Sequence, residues 1–258
     1  MLSKAQIKWI HSLEMKKYRD RYGLFMVEGH KSVTELIPVF ECEWMLAEAS
    51  WMATQGDLPV RELLVAEAGD IRKVTFLKSP PQVVAVFRRP EYAPEAAAPT
   101  VGLTLALDGV QDPGNVGTMI RLADWFGIEQ VVCSPDTADV FAPKAVQSTM
   151  GALARVKALY TDLEAYLKRY DSPRYGAFLT GENVYETTLT SHGILVVGNE
   201  GNGIRPAVEA LIDKRLYIPP YPSDRAGVES LNAAVATAIL CAEFRRQAHP
   251  VQTFSRVL

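Results

Sequence analysis

From residue 103 onward, short apolar runs alternate with helical patterns at nearly even spacing, and this alternation restricts the possible folds more than any other feature of the chain. The runs are Leu103 to Leu107, Gln130 to Cys133, Arg155 to Leu159, Tyr175 to Leu179, Ile194 to Val197 and Leu216 to Ile218. Helical periodicity falls at Val116 to Phe126, Lys144 to Met150, Leu163 to Arg169, Pro206 to Leu211 and Ser230 to Gln247. Strands that are nearly continuously apolar are covered on both faces, which predicts a parallel α/β sheet between helical layers. Ligands of such sheets bind at the carboxyl ends of the strands, so the loops leaving these runs are where function is expected.

The first 92 residues read differently. Ile7, Ile10 and Leu13 mark one helical face and Val33, Leu36 and Ile37 another. Strands are expected at Phe25 to Val27, Glu43 to Leu46, Leu63 to Val65 and Val83 to Phe87, which makes a small α/β unit able to fold independently. The proline- and alanine-rich stretch Glu91 to Thr100 has no amphipathic period and reads as a linker. The expected division is 1–92, a linker at 93–100, and 101–258.

Composition narrows the class. With 48% hydrophobic and 22% charged residues the chain is globular. The longest apolar candidate, Ala233 to Ala242, falls well short of the roughly 20 residues of a membrane span, so no membrane association is expected. The opening MLSKAQIKWI lacks the apolar core of a secretion signal, and Cys42, Cys133 and Cys241 lie far apart without metal-binding spacing. A cytoplasmic protein with reduced core thiols and no metal is expected. Net charge is -3, yet residues 1–31 carry seven basic against three acidic side chains. Lys16, Lys17 and Arg19, with Tyr18 among them, are candidates for contact with RNA; a solvated helix face would explain the same charges.

Three loops carry the candidate chemistry. In LDGVQDPGNVGTMIRLADWFG (107–127), a strand meets a loop with Gly109, Pro113 and Gly114 before a helix. Asn115 suits its N-cap and Gly127 its left-handed end, while Arg121 follows the apolar face. In ILVVGNEGNGIRP (194–206), Gly198, Gly201 and Gly203 permit tight turns. Glu200 inside that turn would repel a pyrophosphate, and DGVQDPGN after the first strand lacks a G-x-G-x-x-G turn, which disfavours a Rossmann oxidoreductase. In YIPPYPSDRAGVESLNAAVATAIL (217–240), a proline-rich loop leads to a helix of small residues that Ser230 can cap, with Asn232 satisfied locally.

Together and in this order, the motifs resemble the SpoU/TrmH branch of the SPOUT methyltransferases. Asn115 with Arg121 resembles the family's N-x-x-x-x-x-R motif. Gly198-Asn199-Glu200-Gly201 with Gly203 resembles its G-x-E-x-x-G-like turn, and Ile218-Pro219 with Ser230-Leu231-Asn232 its I-P…S-L-N segment. KAVQSTMGA (144–152) resembles the intervening helix. The likeness covers about residues 100–247, with KKYRDRYGLFMVEGHKSV more loosely similar to the family's ribosomal-protein-like substrate domain. The loop from Ile218 to Ser230 is longer than is usual in the family.

The resemblance implies a C-terminal trefoil knot, S-adenosyl-L-methionine as cofactor, a homodimer through the C-terminal domain, and 2′-O-methylation of ribose in rRNA or tRNA. It places Leu179, Thr180, Gly198, Asn199, Gly203, Ile218 and Leu231 around the cofactor, and Asn115, Arg121, Glu200, Ser230 and Asn232 in catalysis. The alternatives are methylation of a base nitrogen and a non-catalytic RNA-binding or ribosome-assembly factor.

Overall fold

The structure is a computed structural model that describes residues 2–67, 69–92, 102–222 and 229–248. The expected linker at 93–100 lies outside the described residues.

The amino-terminal part contains α1 (Lys4–Ser12), α2 (Lys16–Tyr22), β1 (Leu24–Glu28), α3 (His30–Leu36), β2 (Cys42–Glu48), α4 (Ala49–Met52), β3 (Leu63–Ala66) and β4 (Val83–Arg88). Ser3 and Gln6 form a reciprocal capping box that fixes where α1 begins. The four strands are ordered β1-β4-β2-β3, antiparallel except for the β2–β3 pair. All four expected strands are present, each one to three residues longer than its apolar run.

The second part contains β5 (Leu103–Asp108), α5 (Pro113–Trp125), β6 (Gln130–Cys133), α6 (Pro143–Thr149), β7 (Lys157–Tyr160), α7 (Leu163–Arg169), β8 (Arg174–Phe178), β9 (Glu182–Asn183), β10 (Gly193–Gly198), α8 (Pro206–Glu209), β11 (Lys214–Tyr217) and α9 (Ala233–Ala248). Its sheet, β7-β6-β5-β10-β8-β11-β9, is parallel throughout, as the near-continuous apolar runs indicate. The chain builds β5, β6 and β7 outward in one direction and then returns to build the other half. β10 comes to lie beside β5, and that junction is the switch point of the sheet.

Three local details differ from expectation. The run expected at Arg155 to Leu159 starts later, because Ala152–Ala154 forms a 3-10 turn that delays β7. Strand β8 stops at Phe178, which leaves Leu179 outside the sheet with 62% of its surface exposed. Helix α9 is capped by Asn232 rather than Ser230: the Asn232 Oδ1 accepts from the amides of Ala234 (2.9 Å) and Val235 (3.3 Å).

The two parts share a core. One apolar cluster runs from Phe25, Phe40 and Phe87 into Phe141, Val146 and Leu153, and the Phe25 and Phe141 rings lie 4.8 Å apart. Beside them the Arg19 guanidinium is buried. Its Nε and Nη2 donate to Asp139 Oδ2 (2.9 and 2.7 Å), and its Nη1 donates to the carbonyls of Leu13 and Glu14 (2.8 and 2.7 Å). Arg155 adds a bridge on the surface, to Glu35 (2.5 Å) and Asp124 (2.9 Å). Arg19 is therefore removed from the RNA-contact set, since at 2% exposure with its donors committed it has nothing to offer a phosphate. Lys16 and Lys17, on the same helix, are exposed.

Candidate active site at the sheet switch point

Gly198 ends β10 in register with Asp108 at the end of β5. The turn that follows is locked by two hydrogen bonds between Asn199 and Gly203, amide to carbonyl in each direction (3.0 and 2.9 Å). A Cβ on Gly198 would lie 2.3 Å from the Gly203 carbonyl carbon, so no other residue lets the turn fold back this closely. The Asn199 side chain completes the turn. Its Nδ2 donates to Gly109 O (2.8 Å), and its Oδ1 accepts from the amides of Gly201 and Asn202 (both 2.9 Å). Asn199 thus ties the β10 turn to the β5 loop, and its side chain is spent on the protein itself.

The β5 loop enters α5 through Asp112, whose Oδ1 accepts from the Asn115 amide (2.9 Å), with Pro113 at the first helical position. Asp112 is therefore the cap that Asn115 was expected to be, and this frees the Asn115 side chain. Its Nδ2 donates to Glu200 Oε1 (2.9 Å) and its Oδ1 accepts from Asn232 Nδ2 (3.1 Å). Glu200 is anchored in turn by the amides of Gln111 (3.2 Å) and Asp112 (3.4 Å). A one-directional chain results, from the α9 amides through Asn232 and Asn115 to Glu200. Burial alone would raise the Glu200 carboxyl, but the hydrogen bonds from Asn115 and the backbone outweigh it and hold the group below the usual carboxylate range. At neutral pH it is an anion that accepts from the Asn115 amide. The Lys144 ammonium, 2.7 Å from Asp112 Oδ2, likewise holds the Asp112 carboxyl low.

Three motifs that lie 117 residues apart at their extremes thus meet in one cluster of Asn115, Glu200 and Asn232. Ser230 is exposed two residues before Asn232. Arg121 is not part of the cluster. It lies six residues beyond Asn115 on α5, about 9 Å along the helix axis, and is exposed, its side chain making no ion pair or hydrogen bond among the described residues.

The residues assigned to the cofactor leave three neighbouring strands. Leu179 and Thr180 follow β8, Gly198 to Gly203 follow β10 and Ile218 follows β11, and these strands are consecutive in the sheet. Leu231 precedes Asn232, whose side chain is linked through Asn115 to Glu200 in the turn after β10. Leu179 and Leu231 stand 62% and 45% exposed.

One pair of residues here is not evident in the sequence. The Asp108 carboxylate is wholly buried and accepts from the Arg205 amide (2.8 Å), its Nε (2.7 Å) and its Nη2 (2.6 Å). It pins the far end of the Gly198 turn to the β5 terminus. An apolar run ending in an acid at the sheet's ligand edge was the available signal for Asp108; nothing local marked Arg205.

Residues 102–242 match the SpoU rRNA Methylase family, and residues 4–85 the MRM3-like substrate binding domain. The chain belongs to the SpoU rRNA methylase family. Its reaction is transfer of a methyl group from S-adenosylmethionine to the 2′-oxygen of an RNA ribose. The chain is 32% identical over 246 residues to the 23S rRNA (guanosine(2553)-2′-O)-methyltransferase RlmP of Bacillus subtilis (strain 168), covering 93% of this chain and 96% of that protein. The structure of a TrmH-family protein from Porphyromonas gingivalis superposes with a TM-score of 0.86 at 44% identity, covering 96% of this chain and 100% of that one. The SpoU methyltransferase AviRb of Streptomyces viridochromogenes, solved with AdoMet, gives 0.80 at 26% identity, covering 95% and 98%.

Proposed function

We propose that this enzyme methylates a ribose of ribosomal RNA, with residues 1–92 holding the RNA and residues 101–258 holding the cofactor. The observation that carries the reading is the Asn115–Glu200–Asn232 cluster, beside the bends that follow β8, β10 and β11. S-adenosylmethionine, when bound, supplies a methyl group already made electrophilic by its sulfonium. The bends at Leu179–Thr180, Gly198, Ile218 and Leu231 would hold it, largely through backbone groups.

What remains for the protein is the acceptor. A ribose 2′-hydroxyl is a poor nucleophile until its proton is shared or lost, and a nearby cation lowers the cost of the developing alkoxide. Arg121 is a cation whose side chain has no partner among the described residues, and its guanidinium stays protonated, so it serves as electrostatic stabiliser rather than base. Asn115 and Asn232 each keep a second amide hydrogen for the ribose or its phosphate, and Glu200 acts through Asn115 as a positioning residue. Ser230, exposed and without a hydrogen bond among the described residues, is placed to contact the nucleotide.

The proposal includes a cytoplasmic homodimer through the C-terminal part and the family's knot. Trp125 on α5 and Val235 on α9, 83% and 49% exposed, supply apolar surface for a subunit contact. Among the described residues no helix is long and apolar enough to cross a membrane.

Mass-spectrometric mapping of ribose methylation in ribosomal RNA from cells with and without the gene tests the assignment; loss of one 2′-O-methyl nucleotide is expected. A lost base methylation, or no change in rRNA, would overturn it.

Lys16→Glu with Lys17→Glu is expected to weaken RNA binding. The slope of log affinity against log salt should fall by about one unit for each lysine that meets a phosphate. Titrations at several salt concentrations check this, and unchanged slopes would return both lysines to a solvated face.

A further inference from the structure

A second cleft lies away from the cluster just described, where the two parts of the chain meet at the free edge of the large sheet. It has a volume of about 340 Å³, and its walls carry Tyr92, Phe141, Tyr160, Tyr166 and Tyr170. Two guanidinium groups border it. Arg169 is exposed, sits 5.5 Å from the centre of the Tyr170 ring and has no carboxylate partner among the described residues. Arg89 lies 5.0 Å over Phe141 and pairs with Asp20 of α2 (2.5 Å), the helix that carries Lys16 and Lys17.

The floor of the cleft is β7. Among the described residues β7 has β6 as its one neighbour, and Lys157 and Thr161 donate toward that side. The alternation of a parallel ladder therefore turns the N–H and C=O groups of Ala158 and Tyr160 toward the open edge. The cleft thus combines aromatic faces, a free cation at the rim and a row of backbone donors and acceptors. That is the combination an unpaired nucleobase requires: rings for its face, hydrogen-bonding groups for its edge and a cation for the adjoining phosphate. Tyr160 also lies in register, through Cys133 and Leu107, with Val197, the residue before Gly198. The cleft and the methyl-transfer cluster therefore share the carboxyl edge of one sheet, three strand spacings or about 14 Å apart.

We propose that this cleft is a nucleotide-binding subsite that takes an unpaired base of the RNA substrate at a distance from the methylated ribose. It rests on the RNA-methylating activity and extends the contact surface beyond α2 and the catalytic cluster. The Asp20–Arg89 pair ties the rim of the cleft to α2, the helix that carries Lys16 and Lys17.

The test uses the full chain and a single-stranded RNA of mixed sequence, about 12 nucleotides long, carrying 4-thiouridine. Photo-crosslinks mapped by mass spectrometry are expected on Tyr92, Tyr160 or Tyr170. Arg169→Ala, and separately Tyr170→Leu, which keeps an apolar side chain but removes the stacking ring, are each expected to weaken binding about tenfold. With a methylatable RNA they should raise KM while leaving kcat and cofactor affinity at wild-type values. Crosslinks confined to α2 and the catalytic cluster, with unchanged affinity in both variants, would overturn the subsite while leaving the methyltransferase assignment standing. A wild-type enzyme that methylates no RNA would overturn both. Capture of a protein rather than RNA by this cleft, with RNA affinity unaltered, would also overturn it.

Discussion

Arg121→Ala is expected to cut methyl transfer by at least about a hundredfold while leaving cofactor affinity near the wild-type value. The asymmetry follows from where the residue sits. Arg121 lies on the exposed side of α5 with no partner among the described residues, so removing it breaks no contact that holds the fold or the cofactor bends. Its contribution would arise only when charge develops on the ribose oxygen, an interaction made in the transition state and absent from the ground state. Arg121→Lys keeps the charge but loses the planar fork and should recover only part of the rate. Single-turnover assays with labelled donor, beside calorimetry of donor binding, separate the two effects. Turnover at the wild-type rate in the alanine variant would remove Arg121 from the mechanism.

The large sheet was legible because its central strands β5, β6 and β10 are buried at every position and therefore nearly all apolar, a signal that survives without context. The site was legible in part. Asn115, Glu200 and Asn232 belong to motifs that are weak singly, and the structure joins them by hydrogen bonds. Cap assignments failed by a few residues, with Asp112 capping in place of Asn115 and Asn232 in place of Ser230. Several polar residues near a helix start compete for one role, and the backbone path decides among them. Asn199 reads in sequence as part of a cofactor turn, yet its side chain closes the turn on Gly109, 90 residues away. Arg19 is the sharpest case. Beside Lys16 and Lys17 it reads as one more phosphate contact, but its partner Asp139 lies 120 residues downstream, and no local pattern announces a buried pair.

That pair gives the second large effect. Arg19→Ala is expected to destabilise the protein by about 3–5 kcal/mol, because it leaves Asp139 buried without its counter-charge. The same substitution strands the carbonyls of Leu13 and Glu14, which now accept from Arg19 Nη1. Asp139 keeps one bond, from the Phe141 amide to its Oδ1 (2.9 Å), which cannot neutralise it. Because Phe25 and Phe141 pack together next to this pair, the damage falls on the joint between the two sheets rather than within either one. Thermal unfolding of the wild-type chain should therefore show one cooperative transition, and Arg19→Ala an earlier onset in which the amino-terminal part melts as a separate first transition. Arg19→Leu combined with Asp139→Leu removes both charges and should recover much of the loss, whereas either single change should not. If calorimetry found Arg19→Ala as stable as wild type, the buried pair would not be what holds the two parts together, and the rigid joint between the basic face of α2 and the catalytic edge would need another cause.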